Sequence, residues 1–153
     1  VSDPSYLQKR SARFFHQLTA SIARKKPLMG HIVKYKRAHE DELLALLANE
    51  PDWSSFLAEG AIDTFKKALR EGETYLYASQ GTICGYIRAL VDGFGIYVSE
   101  LYVAPACRGN GYGAALLEKI KQAHPNRDVY VFSDEDLYYE KLGYKRVGSV
   151  FEL

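Results

Sequence analysis

Three glycines at alternate positions, Gly109, Gly111 and Gly113, follow Arg108 and lead into the helix-forming run Ala114-Ala115-Leu116-Leu117. A β-rich apolar segment that turns this way into a helix leaves backbone N–H groups unpaired at the positive end of the helix. Convergent amides of this kind bind phosphate. Glycine has no Cβ to obstruct a close approach and accepts positive φ. The Arg108 side chain either pairs with the anion or braces the loop. Upstream, Glu100 stands inside an apolar strand segment. A lone carboxylate there needs a task or a partner: it accepts a proton from a reacting group, or it pairs with a Lys or Arg on a neighbouring strand. Cys107 adjoins the loop, but no His or Asp is spaced to activate it. It is therefore not read as a nucleophile.

These residues need a scaffold, and apolar spacing outlines one. Strands are expected at 32–37, 74–79, 83–91, 96–103, 129–132 and 144–151. Helices are expected at 39–49, over a broken stretch from 53 to 71, at 112–123 and at 134–142. Gln80-Gly81 and Asp92-Gly93-Phe94-Gly95 read as hairpin connections. Leu7, Phe14, Phe15, Leu18 and Ile22 recur at helical spacing, so residues 5–25 read as an amphipathic helix ended by Pro27. The expected class is α+β (mixed α/β): one mixed, largely antiparallel sheet with helices on both faces and an extra N-terminal amphipathic helix.

The chain has 153 residues, of which 47% are hydrophobic and 25% charged, which fits one ordinary globular domain. No apolar run approaches the ~20 residues of a membrane span. Two cysteines form neither a disulfide framework nor a metal pattern, and four scattered histidines show no paired spacing. No metal is expected, and a reducing, cytoplasmic location is. Residues 1–28 carry six basic residues against Asp3 alone, leaving a mildly acidic body. Such a head raises nucleic acid or targeting as readings. Without basic–aromatic interleaving in the body, no nucleic-acid partner is expected.

Two stretches carry a family resemblance. Arg108-x-x-Gly111-x-Gly113 follows the strand Glu100-Leu101-Tyr102-Val103-Ala104-Pro105 and opens a helix, and Tyr139-Glu140-Lys141-Leu142-Gly143-Tyr144 comes later. Together they resemble the GNAT superfamily of Gcn5-related N-acetyltransferases. One glycine loop is a weak signal; two motifs in the right order, with fitting elements over 31–151, are strong. The resemblance divides the chain into an extension (1–28) and an acetyltransferase domain (29–153). It implies acetyl-CoA as co-substrate and direct acetyl transfer to a primary amine of a small molecule or peptide. The alternative is an acetyl-CoA-binding sensor or regulatory module without turnover.

The resemblance also implies residue roles. Backbone amides of Arg108, Gly109, Asn110, Gly111, Tyr112, Gly113 and Ala114 would hold the pyrophosphate. Leu101, Tyr102 and Val103 would receive the pantetheine as an added strand does. Glu100 falls where many members place the base, and Tyr139 where the thiolate's proton donor stands, with Tyr138 its competitor. An acceptor site is expected near the 49–57 loop, with Asp52, Trp53 and Phe56, whose acids and aromatics suit a cationic amine; the reading preferred to any specific substrate is a helix–helix connection with Trp53 as its hydrophobic anchor. Phe132–Leu137 lacks the Asn that many members carry there, and only 144–153 follows the last helix. The acceptor cleft is therefore expected to be open, or completed by the head helix or by a second subunit in a homodimer.

Overall fold

The computed structural model describes residues 30–153. The helix expected over 5–25 and the boundary at 28 lie outside the described residues. Five strands form one sheet in chain order: β1 (Gly30–Lys34), β2 (Glu73–Ser79), β3 (Thr82–Val91), β4 (Ile96–Val103) and β5 (Val129–Val131). The first four pair antiparallel, and β5 joins β4 in parallel. Between β1 and β2 run α1 (Glu40–Leu47), α2 (Ser54–Leu57) and α3 (Ile62–Glu71). Helix α4 (Tyr112–Ala123) makes the crossover from β4 to β5, and α5 (Asp136–Lys141) follows β5. This is the expected α+β architecture with a single mixed sheet.

Strand alternation sends apolar side chains to both faces, and each face has its own core. Leu76 and Tyr86 of the sheet meet Leu43 and Leu47 of α1 and Phe65 and Leu69 of α3 on one face. Ile87, Ala89, Ile96 and Val98 meet Leu116, Leu117 and Ile120 of α4 on the other. Carboxylates fasten the first helical layer to the sheet. Buried Glu40 accepts hydrogen bonds from the Tyr35 hydroxyl and Arg70 Nη1, both at 2.9 Å. Glu42 accepts from the Ile83 amide at 2.8 Å, and Glu50 from the Tyr102 hydroxyl at 2.9 Å.

One irregularity decides which way the candidate base points. In the β3–β4 ladder Ala89 lies opposite Val98, yet Arg88 lies opposite Glu100. Ser99 is thus an extra residue, a β-bulge of the kind that re-aims side chains. Unbroken alternation would put Glu100 on the face of Ile96 and Val98, in the apolar core under α4. The bulge turns it, with Tyr102, toward the α1–α3 layer, while Leu101 packs against the α4 core.

The last strand expected from the sequence is not formed. After Gly143, whose positive φ of 83° closes α5, the chain to Leu153 has no regular structure. Val147, Val150 and Phe151 are 71%, 73% and 82% exposed. β5 offers only three residues to a neighbour, and Lys145, Arg146 and Gly148 interrupt the apolar alternation. The possible ladder is too short to offset the entropy of ordering a further strand.

Candidate active site

The glycine loop forms as its spacing implies. Gly109 and Gly111 have φ of 77° and 79°, and a Cβ at either would find no protein atom within 4 Å. These glycines serve the backbone turn and keep the space in front of it open. Gly111 caps the 12-residue α4 in the left-handed conformation, with no side chain bonded to the helix end. The first-turn amides of α4 have no carbonyl partner within the helix and face outward with the positive end of its dipole. Arg108 braces the loop: its Nε donates to the Val103 carbonyl at 2.9 Å. Asn110 Nδ2 ties back to the Cys107 carbonyl, also at 2.9 Å. The Tyr112 ring stacks on Tyr77 with centroids 3.9 Å apart, which fixes the start of α4 to β2. The Tyr112 side chain is buried.

From this loop an open strand edge leads along the sheet. β5 pairs with β4 only at Ile96, Tyr97 and Val98. Beyond a bond from the Phe132 amide to the Val98 carbonyl, at 3.2 Å, β5 and β4 part. From Ser99 to Val103, β4 keeps β3 on one side and has no strand on the other among the described residues. The Tyr102 carbonyl faces Gly85 on β3 so closely that a Cβ on Gly85 would collide with it. By alternation, Leu101 and Val103 present their amide groups to the open side. Helix N-terminus, positive-φ glycines and bare strand edge fit a ligand with a pyrophosphate at one end and an extended amide chain behind it. Among the described residues no cluster of His, Cys, Asp or Glu could hold a metal ion.

Glu100 forms the ion pair that was one of its two readings. Arg88 Nε and Nη2 donate to its two carboxylate oxygens, both at 2.5 Å, and the Ser99 hydroxyl adds a bond at 3.2 Å. The side chains are 12% and 9% exposed. The hydrogen bonds to Glu100 hold the Arg88 guanidinium above its ordinary pKa, against the opposing effect of burial. Each carboxylate oxygen has about two lone-pair sites. Oε1 uses both and Oε2 only one, so one acceptor site on Glu100 stays free.

Arg88 also lines an open groove of about 510 Å³ between α2, α3 and the sheet, with Ser55, Phe56, Thr64, Phe65 and Ala68. Of the three expected acceptor residues, only Phe56 lines it. Asp52 is exposed. Trp53 is an anchor: its Nε1 donates to the Tyr86 hydroxyl at 2.9 Å, and its ring meets Tyr102 edge-on at 4.9 Å.

The two tyrosines of α5 diverge, as adjacent helical positions must. Tyr138 lays its hydroxyl on Gly113, where a Cβ would collide with it. Tyr139 packs against the core under α4, and burial, reinforced by Tyr138 and Asp134, pushes its hydroxyl up to about 12. Burial, with contact from Cys107, likewise pushes the Cys84 thiol up to about 11, which leaves that thiol protonated and unreactive at neutral pH. Arg88 and the Ser99 bulge escaped the sequence reading. The signal for Arg88 was present, a lone charge in the apolar run Ile83–Val91.

Comparison with known proteins agrees with this geometry. A family model described as "Acetyltransferase (GNAT) domain" matches residues 70–146. The chain belongs to that acetyltransferase family, whose members use acetyl-CoA. No curated protein sequence matches it. Among solved structures it is similar to a GNAT-family acetyltransferase from Bacillus cereus ATCC 10987, with TM-score 0.64 and 19% identity over 82% of this chain and 89% of that one. It is similar also to a ribosomal-protein-alanine N-acetyltransferase from Brucella melitensis biovar Abortus 2308, with TM-score 0.63 and 19% identity over 82% and 98%. An aminoglycoside N-acetyltransferase in complex with CoA matches with TM-score 0.64 and 14% identity over 86% and 96%. At such identities these likenesses speak for the fold alone. No helix among the described residues is long and apolar enough to cross a membrane.

Proposed function

We propose that this chain is an N-acetyltransferase that passes acetyl from acetyl-CoA directly to a primary amine. The observation that carries the reading is the run from the α4 amides, along the free edge of β4, to Glu100, whose partner Arg88 lines the groove. In this reading the amides of Gly109–Ala114 hold the pyrophosphate, the Arg108 amide being already bonded to the Pro105 carbonyl at 3.3 Å, and Leu101 and Val103 bond the pantetheine amides as a strand would. Most of a free amine near pKa 10 is protonated at neutral pH and must shed a proton before it attacks. Glu100 takes that proton through its one free acceptor site, directly or by way of a water. The amine nitrogen then bonds to the acetyl carbon, the C–S bond breaks, and the nitrogen sheds its second proton to water while Glu100 passes the first to solvent. Tyr139 donates its proton to the departing thiolate and recovers one from solvent. A tyrosine hydroxyl carries its proton at neutral pH, as a donor must. The sum of the steps is an ammonium and a thioester becoming an amide, a thiol and one released proton.

The two free thiols suit a reducing compartment, and we assign the activity to the cytoplasm. One observation favours a second reading, an acetyl-CoA sensor: Glu100 is held by Arg88 and has little freedom to move. A thiol-release assay with acetyl-CoA over a panel of amines separates the two. Amine-dependent release supports the transferase. Tight acetyl-CoA binding without release on any amine supports the sensor.

A further inference from the structure

The groove beside Glu100 differs from what a polycationic acceptor needs. Its walls are the rings of Phe56 and Phe65 and the methyl of Ala68, and its one charged lining side chain is a cation, Arg88. A guanidinium has five N–H donors. Glu100 takes two of them, through Nε and Nη2. The other three have no partner among the described residues, and Nη1 is not sealed from solvent. A guanidinium edge left open in a groove with apolar walls is matched best by a carboxylate, which it can grip with two parallel bonds. Next to it, Glu100 Oε2 keeps one acceptor site. The pair therefore offers donors and an acceptor side by side, the complement of a group that carries a carboxylate and an ammonium on neighbouring atoms.

We propose that the acceptor is a free α-amino acid with an apolar side chain. Its carboxylate binds the open edge of Arg88, its ammonium binds Glu100, and its side chain lies against Phe56 and Phe65. This deepens the reading of the preceding subsection and rests on it for the chemistry. The groove volume of about 510 Å³ falls within the ~300–1,000 Å³ of small-ligand sites. The amine nitrogen then sits beside the group that takes its proton, and the transfer balances as before. The carboxylate also gives Arg88 a second anion, which loosens its hold on Glu100.

The test uses the unaltered protein and four probes: L-phenylalanine, L-phenylalaninamide, phenethylamine and spermidine. Thiol release is measured with acetyl-CoA, and binding of each probe to the CoA-saturated protein by calorimetry. The expected result is a kcat/KM for L-phenylalanine at least ten-fold above that for its amide and for phenethylamine, with binding in the same order. Equal or better turnover of the amide, phenethylamine or spermidine overturns the amino-acid acceptor and leaves N-acetyl transfer standing. Selective binding of L-phenylalanine with no release from any amine supports the groove's ligand and sinks the transferase reading alone. Neither selective binding nor release overturns both.

Discussion

Arg88 faces Glu100 across the β3–β4 ladder only because Ser99 has no opposite number. Counted back from the hairpin, Val91 meets Ile96 and Leu90 meets Tyr97, so unbroken pairing would set Arg88 opposite Ser99. The inserted residue brings the carboxylate into register with the guanidinium and turns it to the side of the sheet that Arg88 already faces. One local feature thus sets the candidate base against its holder.

Substituting Glu100 separates chemistry from binding. Glu100→Gln keeps the shape and removes the proton acceptor, so kcat should fall by ~10²-fold or more. Acetyl-CoA affinity, set at the loop and strand edge, should stay within about two-fold. Steady-state rates and calorimetric titration of acetyl-CoA check the two halves. A fall in affinity as large as the fall in kcat would show that Glu100 serves the fold or the cofactor instead.

The same pair bears on stability. Arg88→Ala leaves a carboxylate that is 9% exposed without its partner, a change that costs roughly 3–5 kcal/mol. Removing Glu100 as well should recover part of that loss. Urea unfolding of the two single variants and the double variant gives the coupling; additive losses would mean the pair contributes little.

Glycine loop substitutions should act on both fold and ligand. Gly111→Ala forces a side chain into the left-handed region, at ~1–2 kcal/mol. It also sets a methyl in the space before the α4 amides. Acetyl-CoA should bind ten-fold more weakly or worse, while Gly60→Ala, also at positive φ (87°) but away from the loop, should lose stability alone. Thermal melts with and without acetyl-CoA distinguish them.

Trp53 offers the contrasting case. Trp53→Phe removes the donor to the Tyr86 hydroxyl, whose side chain is fully buried. The orphaned hydroxyl should cost ~1–3 kcal/mol, with acetyl-CoA affinity unchanged. Denaturant unfolding and a binding titration check it.

High pH should destabilise the protein through its tyrosines. Burial pushes Tyr139, Tyr75 and Tyr102 up to about 12, with Tyr75 and Tyr102 also held protonated by hydrogen bonds to Glu73 and Glu50. In the unfolded chain each titrates near ~10. Between these values the folded state holds protons that the unfolded state has released, so stability falls as pH rises. It should be level below about pH 9 and decline steadily from there through the folded values. Melting temperature against pH shows the slope, and tyrosinate absorbance in the folded protein should lag behind that of the denatured chain.

The phosphate loop was legible because its geometry is local: glycine spacing and the helix start are written in consecutive residues. So were β2, β3, β4 and α4, whose apolar alternation or helical period is long. Glu100 was visible as an anomaly, but its partner was not, because register depends on an insertion that no propensity marks. Trp53 was legible as an anchor but its mate was not, since Tyr86 lies 33 residues away. The strand expected at 144–151 failed for want of a neighbour: a strand exists only as a pair, and three residues of β5 are a poor template.

The bulge at Ser99 also behaves as a phase shift in a two-letter code. On β4, even-numbered positions before it write the α4 core and even-numbered positions after it face the α1–α3 layer. Deleting that one residue would cost a single hydroxyl among the side chains, yet it would exchange Glu100 and Leu101 between the two faces of the sheet. Substitutions there are mild events; insertions and deletions are not. Any attempt to re-engineer this strand must conserve its count before its composition.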